Sequence, residues 1–419
     1  MRKLLPLLLI SGLSFAEGPY TLDDCRRLAR ENSVGVKTAQ SELESARETR
    51  KATFTQYFPQ VSASGGVLAG KDPMLDIPAM GLSLGKWANF MSCSVQQTLF
   101  AGGRVANGNR LASLGEDVAR DKLTLAQRDA IAQVEDKYWT LLSLQGKHRT
   151  LEAYDTLLGA LQNQAGDAVK HGLSSRNDLL KVSLKRSQAQ VGRMQLESGL
   201  SLAARDLRRH MGLPEDTALA LADTLATPED PAALAKLREG ATDKRIETRL
   251  LSQGVRAEEL QTSLERGAML PSVAVGAQAF RMELKGADAV TNAMVFGMVS
   301  VPLSDIWKEG HATASHQAKL REAQMREQDT RRQIAMGIDK SWDDVVHAYR
   351  ASLVAEDAVV QAEVNLTEEN DRYRSGLATL SDLLEAQALR QEALAGRVDA
   401  RKDYWMKRCE YLRSTSTRE

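Results

Sequence analysis

The positions of the ten prolines constrain the fold of this 419-residue chain more than any other feature. No proline occurs between Pro78 and Pro214, and none follows Pro302. A proline inside a helix removes a backbone hydrogen bond and costs about 3 kcal/mol. The two proline-free tracts therefore predict very long helices in both halves of the chain.

Apolar residues in the first tract recur with the three- and four-residue spacing of one helix face, which predicts packing against another helix. One such stripe consists of Ile131, Val134, Tyr138 and Leu141. A single helix from 104 to 170 would be about 100 Å long. Gly172 interrupts the tract, and a second helix is expected from about 174 to 210. Two such helices joined by a short turn form a helical hairpin.

Short motifs of the first half recur in the second half, in the same order and at a nearly constant shift. The matching pairs are 58–61 and 270–273, 136–139 and 339–342, and 172–180 and 376–384. We therefore expect two structural repeats, over 17–211 and 241–419, with a linker over 212–240 that holds three prolines. Each repeat should contain a helix, a β-hairpin and a long helical hairpin. The initial helices are expected over 22–55 and 243–267.

The N-terminus has the pattern of a secretory signal peptide. Two basic residues precede an apolar stretch over 4–13, and Ser14, Phe15 and Ala16 follow as a cleavage site. We expect a signal peptide over 1–16, cleaved after Ala16, and export to a bacterial cell envelope. The alternative is a buried N-terminal helix.

Composition excludes several classes of protein. The chain has 55 basic and 55 acidic side chains, and this balance argues against binding of nucleic acid. Its mean hydropathy is -0.34, and no long apolar run follows the N-terminus, which excludes a polytopic inner-membrane protein. The three cysteines, Cys25, Cys93 and Cys409, have neither disulfide-framework nor zinc-site spacing. Cys25 also lies too far from the apolar stretch to carry a lipid anchor.

The sequence contains little that indicates an enzyme. His311 and His316 are five residues apart, so on a helix their side chains diverge by about 140° and are poor co-ligands for a metal. Phosphate-binding loops, nucleophile elbows and zinc motifs are absent from the sequence. We therefore expect no catalytic activity, no cofactor and no metal site.

Four segments have the length and alternation of tilted transmembrane β-strands. They cover 59–69, 91–99, 272–279 and 292–301. In the first, apolar Val61 and Ala63 alternate with polar Ser62 and Ser64, as for lipid on one face and water on the other. The fourth segment is apolar on both faces. The alternative is a soluble β-hairpin in each repeat.

A membrane-spanning interpretation requires several chains. Four strands cannot close a barrel, and open sheet edges are not tolerated in lipid. Bacterial barrels begin at eight strands. At least two chains must therefore each donate two hairpins.

These features together resemble those of the TolC-like outer-membrane efflux protein family, also called outer membrane factors. The residues that carry the resemblance are 20–22 before the first helix, 58–61 before the first strand, 99–104 after the second strand, 211–214 after the first hairpin, and the two Gly-Leu turns followed by Asp-Leu-Leu. The resemblance covers nearly the whole mature chain.

The resemblance implies a mainly α-helical fold with a small β part. It implies a homotrimer with a twelve-stranded barrel in the outer membrane and an α-helical tunnel in the periplasm. The function implied is an exit duct for an inner-membrane transporter and a periplasmic adaptor protein. Alternatives are the outlet of a type I protein secretion system and, in a different class, a soluble periplasmic coiled-coil scaffold.

The resemblance also assigns roles to individual residues. The tips that meet the adaptor correspond to Gly172, Leu173, Gly376 and Leu377, and the strand-exit turn corresponds to Gly102 and Gly103. The periplasmic gate corresponds to Asp382 and Glu385, which line the entrance, and to Asp178 and Tyr373, which belong to polar links between neighbouring hairpins.

Asp382 and Glu385 are three residues apart and should share one helix face. In a symmetric oligomer each would recur as a ring, and rings of carboxylates at a constriction attract cations. The alternatives are a solvated helix face, or local helix caps at Asp178 and Asp382. Two positions depart from the family pattern: the second strand exit lacks the double glycine, and Ala378 stands where some members have a gate arginine. How the gate is locked stays open at this point.

Overall fold

The computed structural model describes residues 19–72, 75–77, 82–84, 87–284, 288–303 and 306–415. The predicted signal peptide and its cleavage site at Ala16 lie outside the described residues. The chain divides into two compact units. The helical unit contains the described residues up to Thr38, Leu125–Lys244 and those from Ala335 onward, and the sheet unit contains Ala39–Thr124 and Arg245–Ile334.

The first predicted helix is two helices, α1 (Leu22–Asn32) and α2 (Val34–Phe54). Helix α1 begins at Thr21, whose hydroxyl accepts a hydrogen bond from the backbone N–H of Asp24 while the Asp24 carboxylate accepts from the Thr21 backbone. The helix ends because Ser33 adopts a non-helical ψ of 135°. The prediction of one helix over 22–55 is therefore wrong at this residue.

The long helices predicted from the proline-free tracts are confirmed. Helix α3 (Arg104–Lys170) has 67 residues and is followed by α4 (Arg176–Met211). In the second half, a short helix α5 (Ala241–Lys244) and α6 (Ile246–Ala268) replace the single helix expected over 243–267, because Arg245 has an extended backbone. Helices α7 (Ile306–Arg374), of 69 residues, and α8 (Leu380–Ser414) complete the chain. Within the described residues, no helix is both long and apolar enough to cross a membrane.

The linker after α4 is held to the helical unit by side chains of α8. Gly212, with φ of 69°, ends α4, and a 3₁₀ helix covers Pro231–Arg238. The buried Tyr404 hydroxyl donates to the Glu229 carbonyl at 2.6 Å, and the Tyr411 hydroxyl donates to the Leu234 carbonyl at 2.9 Å. These bonds satisfy linker carbonyl groups that form no regular ladder.

The sheet unit contains a four-stranded antiparallel sheet. Its strands are β1 (Gln60–Ala69), β4 (Trp87–Ala101), β5 (Ser272–Leu284) and β6 (Val290–Ser300), in that spatial order. Two short strands, β2 (Leu75–Ile77) and β3 (Leu82–Leu84), form a separate pair that the sequence did not predict. All four predicted segments are strands, although β4 and β5, at 15 and 13 residues, are longer than the predicted ten.

The two faces of this sheet differ in chemistry where β1 meets β4. Val61 pairs with Val95 and Ala63 with Cys93 on one face. On the other face, the hydroxyl groups of Ser62 and Ser94 lie 2.8 Å apart, as do those of Ser64 and Ser92. The alternation expected in 59–69 is therefore present in the register of the sheet.

The turn after β4 requires glycine at its first position. Gly102 has φ of 62°, in the left-handed region that favours glycine. A Cβ atom on Gly102 would lie 2.0 Å from the carbonyl oxygen of Gly267, so the two backbones meet where a side chain has no room. Gly103 has φ of 77° but has only the Asn107 side chain near its Cβ position, at 3.8 Å.

Candidate channel entrance at the helical turns

The turns at Gly172 and Gly376 end α3 and α7 in the same way. Both glycines have positive φ, of 72° and 76°. The next residue reaches back into the helix: Leu173 N–H donates to the Ala168 carbonyl at 2.7 Å, and Leu377 N–H donates to the Arg372 carbonyl at 2.8 Å. The leucine side chains stay in solvent, 82% and 74% exposed. Each predicted tip therefore presents an exposed leucine on a hydrogen-bonded turn.

Helix α8 begins with a capping box built around Asp382. Its carboxylate accepts hydrogen bonds at 2.8 Å from both the backbone N–H and the hydroxyl of Thr379. The Thr379 N–H, then its hydroxyl, lower the pKa of Asp382, and the charges of Arg372 and Lys181 act in the same direction. The local cap that the sequence left open as an alternative is therefore present at Asp382.

Asp178 has the same position in α4. The hydroxyl of Ser175 donates to its carboxylate at 2.8 Å and that of Ser174 at 3.1 Å. The Ser175 bond is the largest cause of a lowered pKa at Asp178. Asp178 and Tyr373 make no hydrogen bond to each other in the described part of the chain. Tyr373 instead packs, half-buried, against the apolar core under the turns.

Asp382 and Glu385 do share a face, as their spacing predicts. Both are exposed, whereas Leu383 and Leu384 between them are buried. The buried leucines join a core that holds the first turn of α8 against α3 and α4. Its buried members are Leu158, Leu161, Ala165, Val182, Ala189, Leu380, Leu383 and Leu384. This packing fixes the direction in which the two carboxylates point.

The polar link between the two hairpins uses residues that sequence reasoning missed. The Lys181 ammonium donates to the Ser381 hydroxyl at 2.8 Å and lies 4.0 Å from the carboxylate of Asp178. Lys181 follows Asp178 by one helical turn, and Ser381 directly precedes Asp382, so both lie beside residues that the resemblance singled out. Their partnership across 200 residues left no signal in the sequence.

Other candidate chemistry is sparse. Among the residues that the structure describes, no group of three or more His, Cys, Asp or Glu side chains is placed to hold a metal ion. None of the three cysteines forms a disulfide in the described residues: Cys25 and Cys409 are buried and Cys93 is exposed.

A protein family matches the first half of this architecture. The family model for outer membrane efflux proteins matches residues 26–213, which include the first turn, Gly172 and Leu173. This stretch, just under half of the chain, is similar to outer membrane efflux proteins. The resemblance to TolC-like proteins is thereby confirmed. No curated protein sequence gives a significant match.

Solved structures share the fold of this chain. The outer-membrane channel OprN is 15% identical, with 94% of this chain and 89% of that chain covered and a TM-score of 0.81. The outer membrane protein VceC from Vibrio cholerae is 15% identical, with 94% and 95% covered and a TM-score of 0.80. The CmeC outer membrane channel of Campylobacter jejuni is 13% identical, with 94% and 85% covered and a TM-score of 0.78.

The match to this family places the protein in the bacterial outer membrane, with its helical part in the periplasm. It also implies association with components of an efflux pump. The family consists of channels and not of enzymes, so the expectation of no catalytic activity is confirmed.

Proposed function

We propose that three copies of this chain form an exit duct that carries substrates from an inner-membrane transporter, through a periplasmic adaptor, to the outside. Each chain contributes four strands to a twelve-stranded barrel and four long helices to a periplasmic tunnel. The observation that carries the proposal is that a single chain leaves backbone groups and apolar side chains without partners. Its sheet has open edges and its helices expose apolar stripes.

The sheet supports assembly through its edges. Strands β1 and β6 pair on one side only within the described chain, and four strands cannot close. An open edge in lipid leaves backbone groups without partners, so neighbouring copies must supply them. The face with Val61 and Val95 would contact lipid, and the face with the serine pairs would contact water.

The helical unit exposes two apolar stripes with heptad-like spacing. Helix α4 exposes Leu180, Leu184, Val191, Met194 and Leu202 by 49–69%. Helix α7 exposes Leu353, Val360 and Val364 by 52–57%. Stripes at this spacing are typical of helices that pack along one another. Within one chain these side chains stay in solvent, so we assign them to the interface between copies.

The charges of these two helices are complementary. Helix α4 carries eight basic and three acidic residues, whereas α7 from 335 onward carries four basic and nine acidic residues. Complementary charge favours pairing of α4 with α7 of a second copy over pairing of like helices. Contacts between different surfaces on successive copies form a ring when the rotation between copies closes, as it would in the proposed trimer.

In the proposed trimer, the residues at the helical turns would have specific roles. Asp382 and Glu385 would each recur three times and form the acidic constriction, while Asp178 caps α4 beside it. Tyr373 supports the first turn of α8 from the core. The adaptor would dock on the exposed Leu173 and Leu377.

The order of elements supports the division into repeats. A helix, a pair of long strands and a long helical hairpin occur over 17–211 and again over 241–419. The segment 212–240 between them contains only the 3₁₀ helix and an isolated bridge from Leu221 to Tyr20. We therefore assign two repeats, because the same order of elements occurs twice.

The assembly is tested by placing a charge in the α4 stripe. Leu184 is 61% exposed in the single chain, so Leu184→Asp should leave the monomer fold intact. If a neighbouring copy covers it, the buried charge should prevent trimer formation. Light scattering in detergent should give three chains for the natural protein and one for the variant.

The matched control is Val34→Asp, at an apolar residue that is 79% exposed and outside both stripes. It should remain trimeric. A natural protein that is monomeric, or a trimer that Leu184→Asp leaves unchanged, would contradict the proposed interface. Solubility of the mature chain without detergent would favour the periplasmic scaffold instead.

A further inference from the structure

We propose that a groove between α2 and α3, beside the start of the first strand, binds the phosphate headgroup of an anionic phospholipid. The lipid belongs to the membrane leaflet on the helical side of the sheet. This inference rests on the proposed function, because β1 faces lipid only in an assembled barrel. All residues of the groove come from the sheet unit of one chain.

The groove combines aromatic and basic side chains. Its volume is about 850 Å³, within the range of ligand sites. The aromatic ring of Phe54 lies 5.5 Å from that of Tyr57 and 5.7 Å from that of Phe58, and all three side chains are 44–53% exposed. The basic residues are Arg47, Arg50, Lys51 and Arg110. Aromatic residues flank the apolar band of membrane barrels, and basic pockets next to that band bind lipid headgroups.

The groove opens away from the water side of the sheet. Its residues on α3 recur at three- and four-residue spacing on one helix face. They are Ala106, Asn109, Arg110, Ser113 and Glu116. A separate cavity beside Gln60 and Gln96, on the face with the serine pairs, uses another face of α3. Its residues there are Arg104, Val105 and Gly108. At 3.6 residues per turn, the centres of the two sets lie about 130° apart around α3, so the groove lies on the side that Val61 faces.

The basic side chains lie at the depth of a headgroup layer, which is about 5–8 Å thick on each side of the hydrocarbon. Phe54 ends α2 six residues before β1 begins, so the aromatic cluster lies at the hydrocarbon boundary. Arg50 precedes Phe54 by four residues and is therefore about 6 Å further from the strand. The Asn109 side-chain amide donates to the Thr53 carbonyl at 3.3 Å, which sets the adjacent Arg110 near the level of Phe54.

The groove holds more positive charge than its own carboxylate can balance. Among the described residues that line it, Glu116 is the one acidic side chain. Its carboxylate already lies 2.8 Å from Arg50, 2.9 Å from Arg120 and 3.5 Å from Arg47. Arg110 is exposed and forms no ion pair within the described part of the chain. Guanidinium groups bind phosphate oxygens in pairs, and the excess positive charge favours a headgroup with net negative charge over a zwitterionic one.

Native mass spectrometry of the purified protein, mixed with equal amounts of phosphatidylglycerol and phosphatidylethanolamine, tests the site. The natural protein should retain phosphatidylglycerol in preference. Arg110→Gln should lower the retained ratio of the two lipids roughly fivefold, the loss expected for one cation at a membrane surface. Lys51→Gln, on the opposite wall, is a second variant and should act in the same direction.

The matched control is Arg266→Gln. Arg266 is exposed, lies outside the groove, and precedes the motif at 270–273 by the same four residues that separate Phe54 from the motif at 58–61. It therefore removes an equal charge at an equal level, and the ratio of retained lipids should not change.

Three results would overturn the headgroup site. They are equal retention of both lipids by the natural protein, an equal fall in the ratio for Arg266→Gln and Arg110→Gln, and release of the lipid by inorganic phosphate but not by chloride of the same ionic strength. The same spectra give the number of chains. Three chains without a lipid preference would overturn the headgroup site alone, whereas a single chain would overturn the proposed function.

Discussion

At the scale of single residues, Gly102 is the position where the backbone leaves least room. Gly102→Ala would combine a strained positive φ with a Cβ atom 2.0 Å from the Gly267 carbonyl oxygen. We expect a loss of about 2–4 kcal/mol in the free energy of unfolding. Gly103→Ala shares the strained φ, but its Cβ atom would meet only the Asn107 side chain at an ordinary contact distance of 3.8 Å, so it should lose only about 1 kcal/mol. Denaturant unfolding in detergent measures both, and equal losses would contradict the close approach.

Asp382 carries the charge that the proposed ring presents to passing ions. Asp382→Asn removes that charge but keeps an oxygen that can accept from Thr379, so the cap of α8 should persist. We expect the ratio of cation to anion permeability to fall severalfold. Asp343→Asn, at an exposed position of α7, should leave the ratio unchanged. Reversal potentials in a salt gradient give this ratio, and an unaltered value for Asp382→Asn would remove it from the constriction.

At the scale of elements, the attachment of the linker to α8 is open to test. Tyr404→Phe leaves the Glu229 carbonyl without its donor, so the linker should loosen by about 1 kcal/mol. Amide hydrogen exchange over 212–240 should become faster. Tyr349→Phe is the matched control, because the Tyr349 ring packs beside Tyr404 at 6.1 Å and its hydroxyl has no hydrogen-bond partner in the described chain. Equal exchange in both variants would show that the bond does not hold the linker.

The caps of α4 and α8 predict that the stability of the first turns of both helices depends on pH. Hydrogen bonds from Ser175 and Thr379 lower the pKa values of Asp178 and Asp382 in the folded chain. A carboxylate whose pKa is lower in the folded than in the unfolded chain stabilises the fold at pH values above its usual pKa of about 3.9. This stabilisation disappears as the pH falls through the folded pKa. Hydrogen exchange at the first turns of both helices should therefore stay constant from pH 8 to 5, after correction for the intrinsic rate. It should accelerate below about pH 4, and an increase already at pH 6 would contradict this assignment.

The elements also show what a single sequence can predict. The absence of proline predicts α3 and α7 because nothing in these tracts opposes a helix. The breaks at Ser33 and Arg245 were missed because neither residue excludes a helix by itself, and extended backbone there depends on tertiary packing. The Asp178 and Asp382 caps follow from Ser and Thr three residues earlier. The Lys181–Ser381 contact does not, because only the packing of two distant hairpins creates it.

At the scale of the whole molecule, the exposed apolar surface of one chain is the reason for proposing that copies assemble. The apolar side chains of β1 and β6 are mostly exposed on both faces of their sheet, and the stripes of α4 and α7 are exposed as well. Large exposed apolar surfaces mark interfaces with protein or lipid. The proposed duct would cover both, with lipid around the strands and further copies of the chain along the helices.

The most direct test of this account is the current that the purified protein passes in a planar lipid bilayer. We predict discrete conductance steps with a preference for cations, carried by a species of three chains. The preference should decrease as salt screens the carboxylates at the entrance. A trimeric protein that inserts but passes no current, or one that prefers anions, would contradict the duct with an acidic entrance.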